Sequence, residues 1–150
     1  MKIPLIIDKN GFIVVSIAIV SIRGKGIYKP ITMMIDTGSP ETFLSEKDFL
    51  KLRIPHESLE YDKPAYGLGG GVFALYKMRN VTLSFKTDEN NIEKINFPTF
   101  HVSLCEKRDE RTRMIAERIP SILGTDFLKE NKFVFYLDMF NNITYLEKTE

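Results

Sequence analysis

The chain has one cysteine, Cys105. A lone thiol can form neither an internal disulfide framework nor a cysteine-based zinc cluster. Neither His56 nor His101 stands at a catalytic spacing from it, so Cys105 reads as a buried or inert thiol. An excess of charge of one sign is also missing. Lys and Arg number 21 against 20 Asp and Glu, a net charge of +1 that offers nucleic acid or an anionic membrane no electrostatic footing. No apolar run reaches the roughly 20 residues a membrane helix needs. The longest, Phe12 to Ile22, is broken by Ser16 and Ser21. Asp8, Lys9, Asn10 and Gly11 precede that run and no small-residue cleavage site follows it, so it does not read as a signal peptide. The expected location is therefore the cytoplasm, where Asn80-Val81-Thr82 and Asn142-Ile143-Thr144 are chance glycosylation matches. Internal repeats and low-complexity segments are absent, and no cofactor is expected.

What remains is the composition of an ordinary soluble protein, with 43% hydrophobic and 27% charged residues. A chain of 150 residues is expected to form a single domain, 1–150, that buries about two-thirds of its unfolded surface. The order of elements is mostly β. Ile3 to Ile7 reads as a strand, Asp8 to Gly11 as a turn and Phe12 to Ile22 as a strand apolar on both faces, buried between sheets or against a second subunit. Arg23-Gly24-Lys25-Gly26 supplies a hairpin turn, and Ile27 to Ile35 brings the chain back. Ser45-Glu46-Lys47-Asp48 has the form of a capping box, opening a short helix that ends near Ile54-Pro55. Val81 to Phe85 and Ile95 to Leu104 are strands, the second with Pro98 at an edge or bulge. Glu106 to Arg118 carries five basic and four acidic residues and reads as a solvated helix or loop. Asp126 to Glu130 is a short helix, and Phe133 to Leu137 with Ile143 to Leu146 form a terminal hairpin around Met139 to Asn142.

The chemistry concentrates in Ile35-Asp36-Thr37-Gly38-Ser39. An apolar run, Ile31 to Ile35, delivers a carboxylate to the mouth of a buried strand, and hydroxyls and a glycine follow at once. A charge there is costly unless it is hydrogen-bonded, so Gly38 and neighbouring N–H groups are expected to face it. Taken alone, the same residues could be an Asp opening an Asx-turn before a helix.

Two further segments accompany the first. Ala65 to Ala74 includes Gly67, Gly69, Gly70 and Gly71, a glycine-dense tip suited to a mobile hairpin over a cleft. Ile122-Leu123-Gly124 then precedes Thr125-Asp126-Phe127-Leu128. In this order the three segments resemble the retropepsin-like aspartic proteases, over about residues 12 to 147. The resemblance implies a mainly β fold, a closed acid-protease β-barrel with one or two short helices and a flap hairpin.

It further implies an aspartic endopeptidase, with Asp36, Thr37 and Gly38 as the catalytic set and Ser39, Gly67, Leu68, Gly69 and Gly70 touching substrate. Thr37 would bond across a two-fold axis, and Ser39 would support the carboxylate from the side. Asp-Thr-Gly occurs once, whereas aspartic proteolysis needs two carboxylates sharing a proton. The implied partners are thus a second copy of the chain and a peptide or protein substrate. Viral members place an acidic residue two positions after the first glycine and an arginine after the later one. Here those positions hold Pro40 and Thr125, so that brace is expected to be missing.

Other uses of such a turn fit less well. An actin-like or sugar-kinase ATPase needs two large lobes, no Gly-Lys-Ser/Thr follows the glycines, and no second Asp stands two residues from Asp36 for aspartyl-phosphate chemistry. A different class of reading keeps the fold and drops the activity, leaving a catalytically weak or inactive dimerisation or peptide-binding module.

Overall fold

Val, Ile and Ser build the first long strand, which is paired on both sides. The computed structural model describes residues 1–65 and 72–149. Strands β1 (Lys2–Pro4) and β2 (Ile6–Ile7) open the chain, followed by the long hairpin of β3 (Ile13–Ile22) and β4 (Lys25–Ile35). Arg23 and Gly24 join them at φ of 52° and 76°, the left-handed backbone that a two-residue hairpin turn requires. Next come β5 (Phe43–Leu44), α1 (Glu46–Leu50), a 3-10 turn at His56–Ser58, and β6 (Glu60–Ala65). Two long strands follow, β7 (Phe73–Lys86) and β8 (Ile92–Cys105), then α2 (Glu110–Arg118) and β9 (Ser121–Leu123). The chain closes with α3 (Thr125–Glu130) and the hairpin of β10 (Phe133–Asp138) and β11 (Ile143–Lys148).

Pairing runs β3-β4-β9-β5-β8-β7, and β7 returns to pair with β3, so six strands close a ring. β2 and β6 extend it at two edges, and β1, β11 and β10 form a separate three-stranded sheet. The fold is mainly β, as expected, although the described residues hold three short α-helices rather than one or two. The charged segment after Glu106 supplies the additional one. Its helix begins where the Asp109 carboxylate accepts the Thr112 N–H at 2.7 Å. Ser45 caps α1, its hydroxyl accepting the Asp48 N–H, but the Ser45 N–H donates to the Ser121 hydroxyl at 2.9 Å, so the reciprocal half of the expected capping box is not made.

One local expectation needs correcting. Ile3 to Ile7 is not one strand: the Leu5 N–H donates to Thr144 at 3.2 Å, and there the chain leaves the β11 sheet for β3. Pro98 stands at an edge, as expected: β5 pairs with β8 only at His101 and Val102, so β7 alone runs beside Pro98, and Asn80 opposite it, at φ 50°, gives its carbonyl to the Arg23 N–H. The missing proline N–H therefore costs the sheet nothing at that point.

β3 lies between β4 and β7 and buries one face, Ile13, Val15, Ile17 and Ile19; on the other only Ala18 is buried, Val14 and Val20 being half-buried and Ser16 exposed, so the expected burial of both faces is not met in full. Phe127 of α3 fills one end of the core, its ring stacked on Phe85, Phe97 and Phe133 at centroid distances of 5.6, 6.0 and 5.3 Å. Among the described residues no helix is long and apolar enough to cross a membrane. Because Phe127 is 1% exposed and ringed by aromatics, Phe127→Ala is expected to lower stability by about 3–5 kcal/mol, read from the urea midpoint.

Candidate active site

Three residues of β9 decide where Asp36 stands. Met33, Met34 and Ile35 pair in parallel with Ser121, Ile122 and Leu123, and the Asp36 N–H continues the ladder onto the Leu123 carbonyl at 3.1 Å. Beyond this point the chain turns away. The Asp36 carbonyl accepts the Ser39 N–H at 3.1 Å, and Oδ1 accepts the Gly38 N–H at 2.9 Å. The side-chain bond to the N–H two residues on is that of an Asx-turn, so the two local readings describe one geometry, although no helix begins there. A Cβ at Gly38 would sit 3.1 Å from Oδ1, which favours glycine there. Asp36 is half-buried, while Thr37 and Gly38 are exposed.

Ser39 departs from its expected place. Its hydroxyl donates to the Glu41 carbonyl at 2.7 Å and so folds the loop on itself instead of supporting the Asp36 carboxylate. The Ser39 carbonyl accepts the Thr125 N–H at 2.9 Å.

The absent Pro40–Thr125 brace has a substitute that the sequence did not announce. Asp126 takes the Thr42 hydroxyl on Oδ1 at 2.7 Å and the Thr42 N–H on Oδ2 at 3.0 Å. The same Thr42 oxygen accepts the Gly124 N–H at 2.9 Å. Gly124 is required by contact, since a Cβ there would stand 2.6 Å from the Ser39 carbonyl and 2.7 Å from that of Glu41. Asp126 also accepts the Phe127 N–H at 2.7 Å, so one carboxylate sits in the first turn of α3 and holds the Asp36 loop.

Beside the loop lies a cleft of about 310 Å³. Ser39, Pro40, Glu41 and Phe43 form one side, and Lys63, Pro64 and Ala65 of β6 with Leu75 of β7 form the other. Phe43, Leu75 and Ile122 pack together at its floor, against Met34, Ala65 and Ile119. At the rim the Lys63 ammonium pairs with the Glu41 carboxylate, whose hydrogen bond raises the Lys63 pKa. Gly67, Leu68, Gly69 and Gly70, the expected flap contacts, lie outside the described residues, as does Gly71. The described arms of that segment are antiparallel, Ala65 opposite Phe73.

Cys105 stands apart from this chemistry. Burial, with the neighbouring Glu46 adding to it, pushes its thiol up to about 12, so it stays protonated and unreactive at neutral pH. Among the described residues no group of three or more His, Cys, Asp or Glu side chains is arranged to hold a metal ion.

A carboxylate fixed at the end of a barrel strand, a glycine turn over it and a second glycine loop locked against it are the parts of an acid-protease site. The family model described as aspartyl protease matches residues 18–127, which contain all of them, and the chain belongs to that family. Its fold is retropepsin-like. It is similar to the crystal structure of a retropepsin-like aspartic protease from Rickettsia conorii, with a TM-score of 0.59 and 18% identity, over 97% of this chain and 90% of that one. No curated protein matches the sequence.

The Thr42 contacts can be tested directly. Thr42→Val strips Gly124 of its acceptor and Asp126 of a donor inside the core, at an expected cost of about 1–3 kcal/mol. Thr42→Ser, which keeps the hydroxyl, should recover most of the loss in the same denaturation measurement.

Proposed function

We propose that this protein is an aspartic endopeptidase that acts as a homodimer, with Asp36 of each copy meeting at a two-fold axis. The observation that carries the reading is Asp36 itself. It is a half-buried carboxylate aimed by the end of β4 and hydrogen-bonded by Gly38, and its motif occurs once in the chain. Two carboxylates around one water cannot both ionise readily, so they keep one proton between them. The ionised partner takes a proton from the water as its oxygen attacks the peptide carbonyl carbon. The protonated partner donates to the carbonyl oxygen, and the tetrahedral intermediate collapses as the leaving amine takes up a proton.

Thr37, exposed beside Asp36, is read as the residue that meets the other copy's loop, and Gly38 as the gap that lets substrate backbone approach. The apolar floor of Phe43 and Leu75 suits an apolar substrate side chain. A surface for the second copy is also available. Val134, Tyr136, Leu137, Met139, Phe140 and Ile143 expose apolar surface on the terminal hairpin, Phe140 by 95%. That hairpin follows α3, the helix whose Asp126 holds the Asp36 loop. The pairing of β1 with β11 joins the two ends of the chain and supports reading 1–150 as one domain.

Incubation with a diverse peptide library at several pH values tests the activity. Asp36→Asn should abolish cleavage with an unchanged circular dichroism spectrum, because it removes the acid–base pair and keeps the shape. Asp126→Asn should be much milder in turnover. Specific activity should fall on dilution as the dimer separates, and a sedimenting monomer with full specific activity would overturn the shared site.

A further inference from the structure

β6 forms one wall of the cleft, yet none of its six side chains is buried. Hydrophobic packing fixes it only through Ala65 against the cleft floor and the Tyr61 ring on Tyr76, and apart from its ladder with β7 the rest of its attachment is polar. Glu60 pairs with Arg79 at 3.1 Å, Lys63 with Glu41, and Asp62 with both His101 at 2.9 Å and Lys77 at 3.7 Å. The Asp62 cluster is the most sheltered of these. Its side chains are 20–27% exposed, against 52% and 62% for Arg79 and Glu60, so water and salt screen it least.

The backbone is shaped to make that contact. Tyr61 lies opposite Tyr76 and Lys63 opposite Leu75, so Asp62 is an extra residue, a bulge in β6. Bulges re-aim a side chain, and this one reaches past β7 to β8. There His101 is paired on one side with Lys77 and on the other with Phe43, the floor of the cleft. Asp62 thus ties the wall of the cleft to its floor. Its carboxyl is held below the ordinary range first by the His101 hydrogen bond, with Lys77 and Lys63 adding to the effect.

We propose that Asp62 is a positioning residue that, through His101 and Lys77, sets the width of the substrate cleft and thereby substrate affinity. The proposal rests on the peptidase reading above. It concerns how the enzyme binds a peptide rather than how it cleaves one.

The test compares Asp62→Asn, His101→Gln and the double variant on a peptide that the wild type cleaves. Lys148→Ala, which removes the ion pair with Glu93, serves as the control. Each single variant should raise KM by about three- to tenfold with kcat held within about twofold. The double variant should be no worse than either single one, because the two residues act as a pair. Amide exchange at Tyr61, Asp62 and Lys63 should quicken about tenfold while the global denaturation midpoint stays in place. Unchanged KM, additive losses in the double variant, or exchange at β6 no faster than in the control would each overturn the proposal. If the wild type cleaves no peptide, the peptidase reading fails, and the exchange measurement alone still decides whether Asp62 and His101 fix β6.

Discussion

Everything near Asp36 depends on two loops approaching until their backbones touch. Gly124 fits against the carbonyls of Ser39 and Glu41 with no room for a side chain, and Thr42 and Asp126 bind the pair together with three hydrogen bonds. The approach places β9 between β4 and β5, and that insertion completes the six-stranded ring. A carboxylate at a strand mouth needs fixed donors rather than mobile ones if it is to keep one orientation. The interlock supplies them by fixing the turn in which Gly38 faces Asp36. Barrel closure and site geometry are therefore a single structural event.

Much of this was legible because the relevant residues are adjacent in sequence. Asp36 with Gly38, the hairpin turn at Arg23-Gly24, the Ser45 hydroxyl cap on α1 and the terminal hairpin all rest on contacts between near neighbours, where residue type dictates geometry. What escaped were contacts between distant segments. Thr42 bonds to Asp126 across 84 positions, and nothing around Thr42 distinguishes it from an ordinary loop threonine. Asp126 read only as the start of a short helix after Gly124, with no sign of its partner. Ser39 failed for the opposite reason. Its hydroxyl had a nearer acceptor, the Glu41 carbonyl two residues on, and such local bonds compete well against longer ones. The division of Ile3 to Ile7 at Leu5 likewise depends on Thr144, far along the chain.

The walls of the cleft are built on different principles. Its floor is apolar, a small cluster of Phe43, Leu75 and Ile122 set apart from the main core. Its β6 side is an edge strand without a buried side chain, attached by its ladder to β7 and by ion pairs. In the proposed peptidase, β6 is the side with fewer buried contacts and so the one that yields to a bulky peptide.

The parallel pairing of β4 with β9 also has a consequence for folding. It joins residues 33–35 to residues 121–123, so the loop between them must close before the contact forms, and such distant pairings form slowly. On a ribosome, β4 emerges long before its partner. Asp36 therefore stays unaligned until β9 has been made and inserted, and a nascent or truncated chain carries the motif without a working site. For a protein whose proposed task is to cut other polypeptides, this order of assembly delays activity until β9 has been made and inserted.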